Sequence, residues 1–481
     1  MAADSATSPA PRTMGRFVGH LTLGPTHGPV GTDVNLFGKG FSAHQEIQIV
    51  WETYDAAWSI EQRDGVDWEK FLGIAFNERV ETLAELTTDD DGTFRTQLII
   101  PEDYGGMHDL YAVDAETGAR LAKVGFRVDV SAELTPERGP LGTPIGVTVY
   151  GLHPAHPFEG WYELFYDNCY VGNLTAVTTR GTARAEIPAT GHIGSHLIEI
   201  KLATYGWPFI QIGVSPYSHV KTPHLRFELT EGEPVVPPPA REQLQPERPA
   251  DPPSGDDGTP VLWADYAEVP ARAALTLHGQ GFPTGAEVEL EWIDISGDRV
   301  TEVQDGVFGT GFSELSRSLG RLTADENGEF ETTVVPESVQ GGAHPVRAWH
   351  GGECLAQTYV SLGRRPYPIQ PKSGPVGTKL NLEMEGVGWT EHENEVAVCY
   401  DNAYVGYTCG ADLMGKVVPE VYATGAPGPH YIEMYPTFRN PPGQGEGQEK
   451  PVYYRRPILT WRDHPHGFHV RHIFRVEEDH Q

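Results

Sequence analysis

The stretch Gly28-Pro29-Val30-Gly31-Thr32, which runs into the apolar segment Val34–Phe37 and the turn Gly38–Phe41, decides the fold of this chain. The motif returns as Gly139-Pro140-Leu141-Gly142-Thr143 and Gly374-Pro375-Val376-Gly377-Thr378, with a degenerate copy at Val269-Pro270-Ala271-Arg272-Ala273. Pro and Gly mark a turn, and the segments that follow have the composition of short strands. Repeats that fill most of a chain indicate an array of small modules.

Two further signatures divide the repeats into two types. The first and third repeats share the segments Thr87–Phe94 and Thr323–Phe330, in which an acidic turn with Asp/Asn-Gly lies between alternating strands. The second and fourth share Phe165–Gly172 and Cys399–Gly406, in which Asp-Asn lies at the centre of a tight hairpin. The order is therefore ABAB, and we also align the tails His224–Phe227 and His469–His472.

These signatures predict an all-β tandem array of four immunoglobulin-like β-sandwich modules. The boundaries are an N-terminal tail (1–19), A1 (20–130), B1 (131–230), a Pro-rich acidic linker (231–260), A2 (261–362) and B2 (363–476). Helical periodicity is rare. We predict a short helix or ordered loop over Asp67–Leu86, where Trp68, Phe71, Leu72, Ala75 and Phe76 form one stripe, with a weaker counterpart at Phe308–Leu319.

The charge of the chain restricts its partners. Lys and Arg number 35 and Asp and Glu number 67, which gives a net charge of −32. A field of this sign repels nucleic acid and anionic lipid. Residues 1–13 lack the apolar core of a Sec signal, and no apolar run is long enough to span a membrane. We expect an extracellular or particle-associated protein that lacks a Sec signal and does not insert into membranes.

The sequence has no common catalytic signature, so we expect a protein without enzymatic activity and without a cofactor. The four cysteines show no zinc-binding spacing, and Cys399 and Cys409 do not lie opposite one another in the predicted hairpin. His108, His196, His344 and His430 recur before a strand with no acidic residue fixed beside them, which favours a structural hydrogen bond.

Two groups of residues are weak candidates for a metal site. Asp89 and Asp91 lie in a predicted turn and have oxygen ligands suited to calcium, although turn formation alone explains Asp and Gly at these positions. His464 and His466 share a face if the C-terminus is a strand, and the simpler interpretation is a polar edge strand. The sequence predicts no metal at either place.

The duplicated hairpins are the best candidates for a binding site. Their aromatic and turn residues could contact another protein or stack on a sugar, or they could pair across the hairpin and stabilise it, which is the interpretation that we favour. The candidate residues are Tyr166, Asp167, Asn168, Tyr170, Tyr400, Asp401, Asn402 and Tyr404.

The order of these motifs, from Gly-Pro-Val-Gly-Thr through Asp-Xaa-Asp-Gly-Thr-Phe to Gly-Gly and His, resembles the IPT/TIG-type immunoglobulin-like modules of bacterial surface and secreted proteins. The resemblance is clearest at 20–130 and 262–362 and weaker at 131–230 and 363–476. It implies a β-sandwich in each module and implies no chemistry, since such modules serve as spacers, adhesins and subunit contacts.

We therefore expect a structural or accessory subunit of a large assembly, such as a phage particle, a contractile injection apparatus or a surface filament. Its partners would be other protein subunits, including further copies of itself, which bind its sheet edges and hairpins. The alternative is a secreted or surface adhesin that binds a glycan.

Overall fold

The computed structural model describes residues 17–62, 69–154, 161–204, 207–215, 220–238, 259–302, 306–389, 393–410, 414–437 and 455–478. Strands dominate these residues, and the helical segments described are single 3-10 turns at Ile212–Val214 and Trp461–Asp463. Among them, none has the length and apolarity of a membrane crossing. The prediction of an all-β array of four immunoglobulin-like sandwiches is confirmed.

A1 places a three-stranded sheet against a five-stranded sheet, and B1 places a three-stranded sheet against a six-stranded sheet. In A1, the sheets have the orders β1-β3-β6 and β2-β8-β7-β4-β5; in B1, they have the orders β14-β11-β9 and β10-β17-β15-β12-β13, with β16 beside β15. The A1 strands are β1 (His20–Gly24), β2 (His27–Gly28), β3 (Asp33–Lys39), β4 (Glu46–Gln62), β5 (Glu69–Thr87), β6 (Thr93–Ile99), β7 (Gly106–Asp114) and β8 (Arg120–Val128). The B1 strands are β9 (Ser131–Thr135), β10 (Arg138–Gly139), β11 (Pro144–Tyr150), β12 (Trp161–Tyr166), β13 (Cys169–Leu174), β14 (Ala183–Pro188), β15 (Gly194–Thr204), β16 (Trp207–Pro208) and β17 (His224–Leu229).

The last two modules repeat this plan. A2 has the orders β18-β20-β23 and β19-β25-β24-β21-β22, and B2 has the five-stranded order β27-β34-β33-β30-β31 beside the short pairs β26-β29 and β28-β32. The A2 strands are β18 (Val261–Ala264), β19 (Glu268–Pro270), β20 (Leu275–Gln280), β21 (Glu287–Glu302), β22 (Gly306–Thr323), β23 (Phe330–Val334), β24 (Gly342–His350) and β25 (Glu353–Gly363). The B2 strands are β26 (Arg365–Pro366), β27 (Ser373–Gly374), β28 (Lys379–Asn381), β29 (Met384–Glu385), β30 (Glu395–Tyr400), β31 (Ala403–Cys409), β32 (Glu420–Tyr422), β33 (Gly428–Pro436) and β34 (Val470–Val476).

The Gly-Pro motif is the point at which the chain crosses from one sheet to the other. In A1, β2 pairs parallel with β8 in the five-stranded sheet, whereas β3 joins the opposite sheet. The backbone N–H and the hydroxyl of Thr32 both donate to the Pro29 carbonyl, at 3.2 and 2.6 Å, and Gly31 has a φ of 79°. Because Pro lacks an N–H and Gly accepts positive φ, this sequence closes a sharp turn that joins the two layers.

Each module has its own apolar core between the two sheets. Alternate residues of the strands point inward, as in β3, where Val34 and Leu36 are buried and Asp33 and Asn35 are exposed. Trp51 in A1 and Trp292 in A2 occupy equivalent positions, and both are fully buried. The core cluster of B1 also contains Cys399, Tyr435 and Leu459 from B2, so the two B modules share part of one core.

The helix predicted at Asp67–Leu86 is wrong. Residues 69–87 form β5, which pairs along its length with β4, and the counterpart Phe308–Leu319 lies within β22. Ala75 and Phe76 are exposed, so the part of the stripe whose burial the structure describes is not a buried helical face. Pairing with β4 satisfies the backbone of this segment, and this tertiary contact outweighs a weak local periodicity. Asp67 and Trp68 lie outside the described residues.

The acidic hairpin turns are tightly packed at their glycine. Gly92 has a φ of 65° and Gly328 a φ of 76°, and a Cβ at Gly92 would lie 2.0 Å from the Phe41 carbonyl oxygen. Gly118, in the same module, has a φ of 70° but open space where a Cβ would be. A comparison of substitutions at Gly118 and Gly92 therefore separates the cost of backbone strain from the cost of a steric clash.

We expect Gly118→Ala to lower the free energy of unfolding of A1 by about 1 kcal/mol, the ordinary cost of positive φ. Gly92→Ala adds the clash with Phe41 and is expected to cost more than about 2 kcal/mol. Urea denaturation of the two variants measures the difference. Equal losses would mean that the turn yields without cost and that Phe41 does not restrain it.

Candidate interface site

Each A module is joined to the following B module through the Gly-Gly segment. The Gly105 N–H donates to the Leu152 carbonyl at 3.2 Å, and the Gly341 N–H donates to the Val387 carbonyl at 3.0 Å. In the second pair, the Arg272 guanidinium also makes two hydrogen bonds to Glu385, at 2.7 and 2.9 Å. The A–B pair is thus a unit with a repeated junction.

The Asp-Asn hairpins are built by left-handed backbone at both tip residues. The φ values are 48° and 64° at Asp167 and Asn168, and 47° and 63° at Asp401 and Asn402. This conformation is typical of the two-residue turn that matches strand twist, and Asp and Asn tolerate it better than most residues. The tip sequence therefore has a structural reason in both modules.

The tip aspartates also hold a histidine and a backbone amide. Asp167 lies 2.5 Å from Nδ1 of His196 and accepts the Leu197 N–H at 2.9 Å. Asp401 makes the same contacts with His430, at 2.5 Å, and with the Tyr431 N–H, at 2.9 Å. The expectation that no acidic residue lies beside these histidines is wrong in the B modules, because the tertiary fold brings the hairpin tip to the start of a distant strand.

All four recurring histidines have the same structural role. In each, Nε2 lies within hydrogen-bonding distance of the carbonyl oxygen four residues earlier, at 2.7 to 2.9 Å, and the ring stacks on a buried aromatic residue. The pairs are His108 with Trp51, His196 with Tyr166, His344 with Trp292 and His430 with Tyr400. This arrangement fits the predicted structural role.

The environment of His430 favours its charged form. Burial opposes the charge, but the hydrogen bonds to Asp401 and to the Ala426 carbonyl outweigh it and raise the pKa of His430. His344, which is fully buried, has a lowered pKa because desolvation dominates there. The same motif therefore shifts the pKa of its histidine in opposite directions in B2 and in A2.

The hairpin tyrosines are buried hydrogen-bond donors. Tyr166 donates to the Thr190 carbonyl and Tyr400 to the Thr424 carbonyl, both at 2.8 Å. Burial raises the pKa of Tyr400 and of Tyr404 to about 12. These rings are therefore neutral at physiological pH and fix the hairpin to the opposite sheet.

The two hairpins meet each other inside one chain. The rings of Tyr170 and Tyr404 lie edge to face with centroids 6.0 Å apart. The Asn402 side-chain amide donates to the Pro188 carbonyl at 2.7 Å and to the Thr190 hydroxyl at 3.0 Å, and Asn402 is buried. Asp167 and Asn168 of B1 are exposed. Tyr170, Asn402 and Tyr404 therefore contact the other B module of the same chain, and contact of the hairpins with a separate partner stays a prediction.

The outer face of the five-stranded B2 sheet covers the edge of B1. Here the Arg471 guanidinium donates to Glu433 at 2.7 Å and lies 3.4 Å from Glu186 of B1, and His469 lies 2.9 Å from Glu433. Burial by itself would raise the pKa of Glu433, but Arg471 and His469 hold it below its usual value. Tyr435 is fully buried beside them. The outer face of an antiparallel sheet commonly faces water, but in B2 this face is buried against B1.

A connection of B2, residues 455–463, adds main-chain pairing to this interface. The Asn173 N–H donates to the Pro457 carbonyl at 2.8 Å, and the Leu459 N–H donates to the Asn173 carbonyl at 2.9 Å. The Asp463 carboxylate then accepts the N–H groups of Val177 and Thr178, at 2.8 and 2.7 Å. This segment extends the edge strand β13 of B1, which is β-augmentation within one chain.

Other parts of the chain close the same junction. Trp58, from the long A1 hairpin, donates to the Asp463 carbonyl, so A1, B1 and B2 meet at one point. The start of the predicted linker also takes part, since the Val235 N–H donates to Leu141 at 2.8 Å and its carbonyl accepts the Tyr431 hydroxyl at 2.7 Å. Residues 239–258 of the linker lie outside the described residues.

The weak metal candidates have structural partners. Asp89 accepts hydrogen bonds from the Asp91 N–H and from Thr93, which also lower its pKa. His464 and His466 lie in a turn before β34, so the edge-strand interpretation is wrong; His464 contacts the Thr437 carbonyl at 3.0 Å. Over the described residues, no group of three or more His, Cys, Asp or Glu could hold a metal ion. All four cysteines are free thiols.

The alignment of the two tails is shifted by two residues. His196 pairs with Phe227, whereas His430 pairs with Phe474, so Arg471 is the counterpart of His224 and His472 is the counterpart of Leu225. The repeated histidine misled the sequence alignment, and strand register corrects it. His472 is buried on the core side of β34, and its Nε2 has no hydrogen-bond partner.

No protein-family model matches this chain, and no curated protein matches it significantly. Solved structures that resemble it include Salmonella alpha-2-macroglobulin reacted with methylamine (10% identity, 96% of this chain and 31% of that chain, TM-score 0.18). Invasin, a bacterial integrin-binding protein, shows 12% identity over 95% of this chain and 79% of its own, with a TM-score of 0.18. The D1–D4 ectodomain fragment of ICAM-5 shows 10% identity over 95% and 100%, with a TM-score of 0.17. Scores this low carry no functional argument, so the assignment of this chain to the immunoglobulin-like class rests on its sheet topology.

Glu433→Gln is expected to destabilise the B1–B2 interface by about 3 kcal/mol or more, because Arg471 loses its buried carboxylate. The matched control is Glu199→Gln at the equivalent position of B1, where the partners Lys201 and His224 have side chains 21% and 60% exposed, so solvent compensates more of the loss than it can for Arg471, which is 7% exposed. Urea denaturation compares the two variants. If they lose the same stability, the buried pair does not hold the interface.

His472→Leu is expected to remove an acid-sensitive element. Burial lowers the pKa of His472 to about 4, so between pH 6.5 and 4 the unfolded chain binds a proton that the folded chain does not. The folded state thus loses up to about 3 kcal/mol as the pH falls through this window, and loses nothing above it. Relative to the wild type, the variant should gain this amount near pH 4. The exposed His20→Leu should show no such gain, and a similar gain there would contradict the assignment.

Proposed function

We propose that this chain is a non-enzymatic structural or accessory subunit of a large extracellular or particle-associated assembly, in which IPT/TIG-type modules make protein–protein contacts. The observation that carries the proposal is the B1–B2 interface, where one module recognises another through a sheet face, a sheet edge and main-chain pairing. Modules that bind each other in this way are suited to subunit contacts.

The use of the polar side chains supports a role without catalysis. The recurring histidines and the tip aspartates form structural hydrogen bonds, and the hairpin tyrosines stay neutral. A groove of about 600 Å³ on A2 is lined by Glu287, Glu289, Glu291, Arg321 and Trp349 among others, but Arg321 pairs with two of these glutamates and Trp349 with the third. Groups engaged in this way are poor candidates for general acid–base chemistry.

The test is to isolate the tagged full-length chain from its native cells and to separate it by sedimentation. We expect it in the fractions of a large particle, with other protein subunits in fixed proportion. Recovery as an isolated chain that binds a defined glycan on an array would overturn the proposal and support the adhesin alternative. Recovery of the chain in the particle fractions, together with no binding to a glycan on the array, would support the proposal.

A further inference from the structure

The two B modules carry equivalent surfaces, and the fold buries the sheet edge of B1 but leaves apolar side chains exposed at the same positions of B2. We define the covered B1 edge by the residues that B2 or the adjoining linker contacts, and the free B2 edge by their counterparts. The covered B1 edge comprises Leu141, Val171, Asn173 and Pro188. The free B2 edge comprises Val376, Val405, Tyr407 and Tyr422, which occupy the same positions in the repeat and in the strand register.

The contacts on the covered B1 edge define what such an edge binds. The Val171 carbonyl accepts the Cys399 thiol at 3.4 Å, and the Pro188 carbonyl accepts the Asn402 amide at 2.7 Å. Asn173 pairs through its main chain with the B2 connection. As a result, Val171 and Asn173 are 0% and 1% exposed.

The free B2 edge is an exposed apolar surface. Val376, Val405 and Tyr422 are each 53% exposed, and Tyr407 is 42% exposed with the Arg455 guanidinium stacked over its ring. Apart from Val418, these are the large apolar side chains of B2 that are exposed among its described residues, and their B1 counterparts are buried or, at Leu141, partly buried. An exposed patch with a buried equivalent in the same chain indicates a contact surface.

The B1 segment that corresponds to the B2 connection is also exposed. In B2, the connection between β33 and β34 lies on B1, with Ile458 and Leu459 buried and a 3-10 turn at Trp461–Asp463. In B1, the equivalent connection between β15 and β17 has its own 3-10 turn at Ile212–Val214. Four of its apolar residues are exposed by half or more: Phe209, Ile210, Ile212 and Val214.

We propose that the free B2 edge binds a second copy of this chain, through the B1 connection (residues 207–215) of that copy. The contact repeats, between two molecules, the contact that B2 makes with B1 inside each one. This inference deepens the proposed function by naming the partner, and it rests on that proposal only for its biological setting.

The geometry and the charge of the chain define how such copies associate. The two surfaces differ, so each copy has one free surface of each kind, and the contact is head-to-tail; it produces a ring or a growing filament. Two copies with a net charge of −32 also repel each other. Since salt screens this repulsion and does not weaken apolar contact, association should strengthen as ionic strength rises.

The experiment uses three single variants of the full-length chain, studied by sedimentation velocity. Val405→Arg places a charge on the free B2 edge, and Ile210→Arg places one on the B1 connection. Ile99→Arg is the control, since Ile99 is an exposed apolar residue of A1 and belongs to neither surface. All three positions are exposed, and circular dichroism and thermal unfolding verify that each variant is folded.

We expect the wild type and Ile99→Arg to form oligomers that grow with concentration and with salt. Val405→Arg and Ile210→Arg should each weaken association at least tenfold. A mixture of these two variants should form dimers that do not grow, because each member retains the surface that the other has lost. This stop at two copies is specific to a head-to-tail contact.

Several results would overturn the inference. These are a wild type that remains monomeric at about 1 mM, association that Val405→Arg leaves unchanged, and a mixture that forms no dimer. If the wild type is monomeric while the chain is still recovered in a particle, the free B2 edge binds a different protein, and the proposed function survives without this partner. If the copies associate but no particle is found, the contact stands and the setting is wrong.

Discussion

The burial of the outer B2 sheet face against B1 is the constraint on which the arrangement of this chain depends. Glu433, Arg471 and Tyr435 lie on that face, and a module in isolation would present them to water. Once they are buried, the charges must be paired with one another, because an unpaired buried charge costs several kcal/mol. The pairing of Arg471 with Glu433 and Glu186 meets this requirement across the module boundary.

A1 is tied to this interface by two different contacts. The Gly-Gly segment joins it to B1 by the main-chain hydrogen bond from Gly105 to Leu152, and its long hairpin carries Tyr54 and Trp58 to the junction. Tyr54 stacks on Tyr104 at 4.8 Å, and Tyr104 in turn donates to the Val177 carbonyl. The elongated β4–β5 hairpin is thus a packing element that joins modules distant in sequence.

The two B modules carry equivalent surfaces, and the folded chain buries these surfaces to different extents. The Asp-Asn tip has the same internal hydrogen bonds in both modules, yet Asn402 is buried against B1 while Asn168 is exposed. The Asp-Asn tip therefore forms the turn and holds the histidine in both B modules, but its asparagine contacts the other module only in B2. The free B2 edge and the B1 connection stay exposed because the two modules contact each other asymmetrically. A symmetric pair of modules would have covered both.

The sequence by itself determined the module type, the ABAB order and the turns. Gly-Pro motifs, positive-φ glycines and the Asp-Asn tip act through local sterics, which a short segment expresses regardless of its surroundings. It also indicated a structural role for His108 and its equivalents from their repetition. The tertiary structure decided the strand identity of residues 69–87, the two-residue shift of the C-terminal tail and the contact between Tyr170 and Tyr404. These features depend on which distant strand or module lies opposite, and the free energy of such contacts is set by partners that no local pattern encodes.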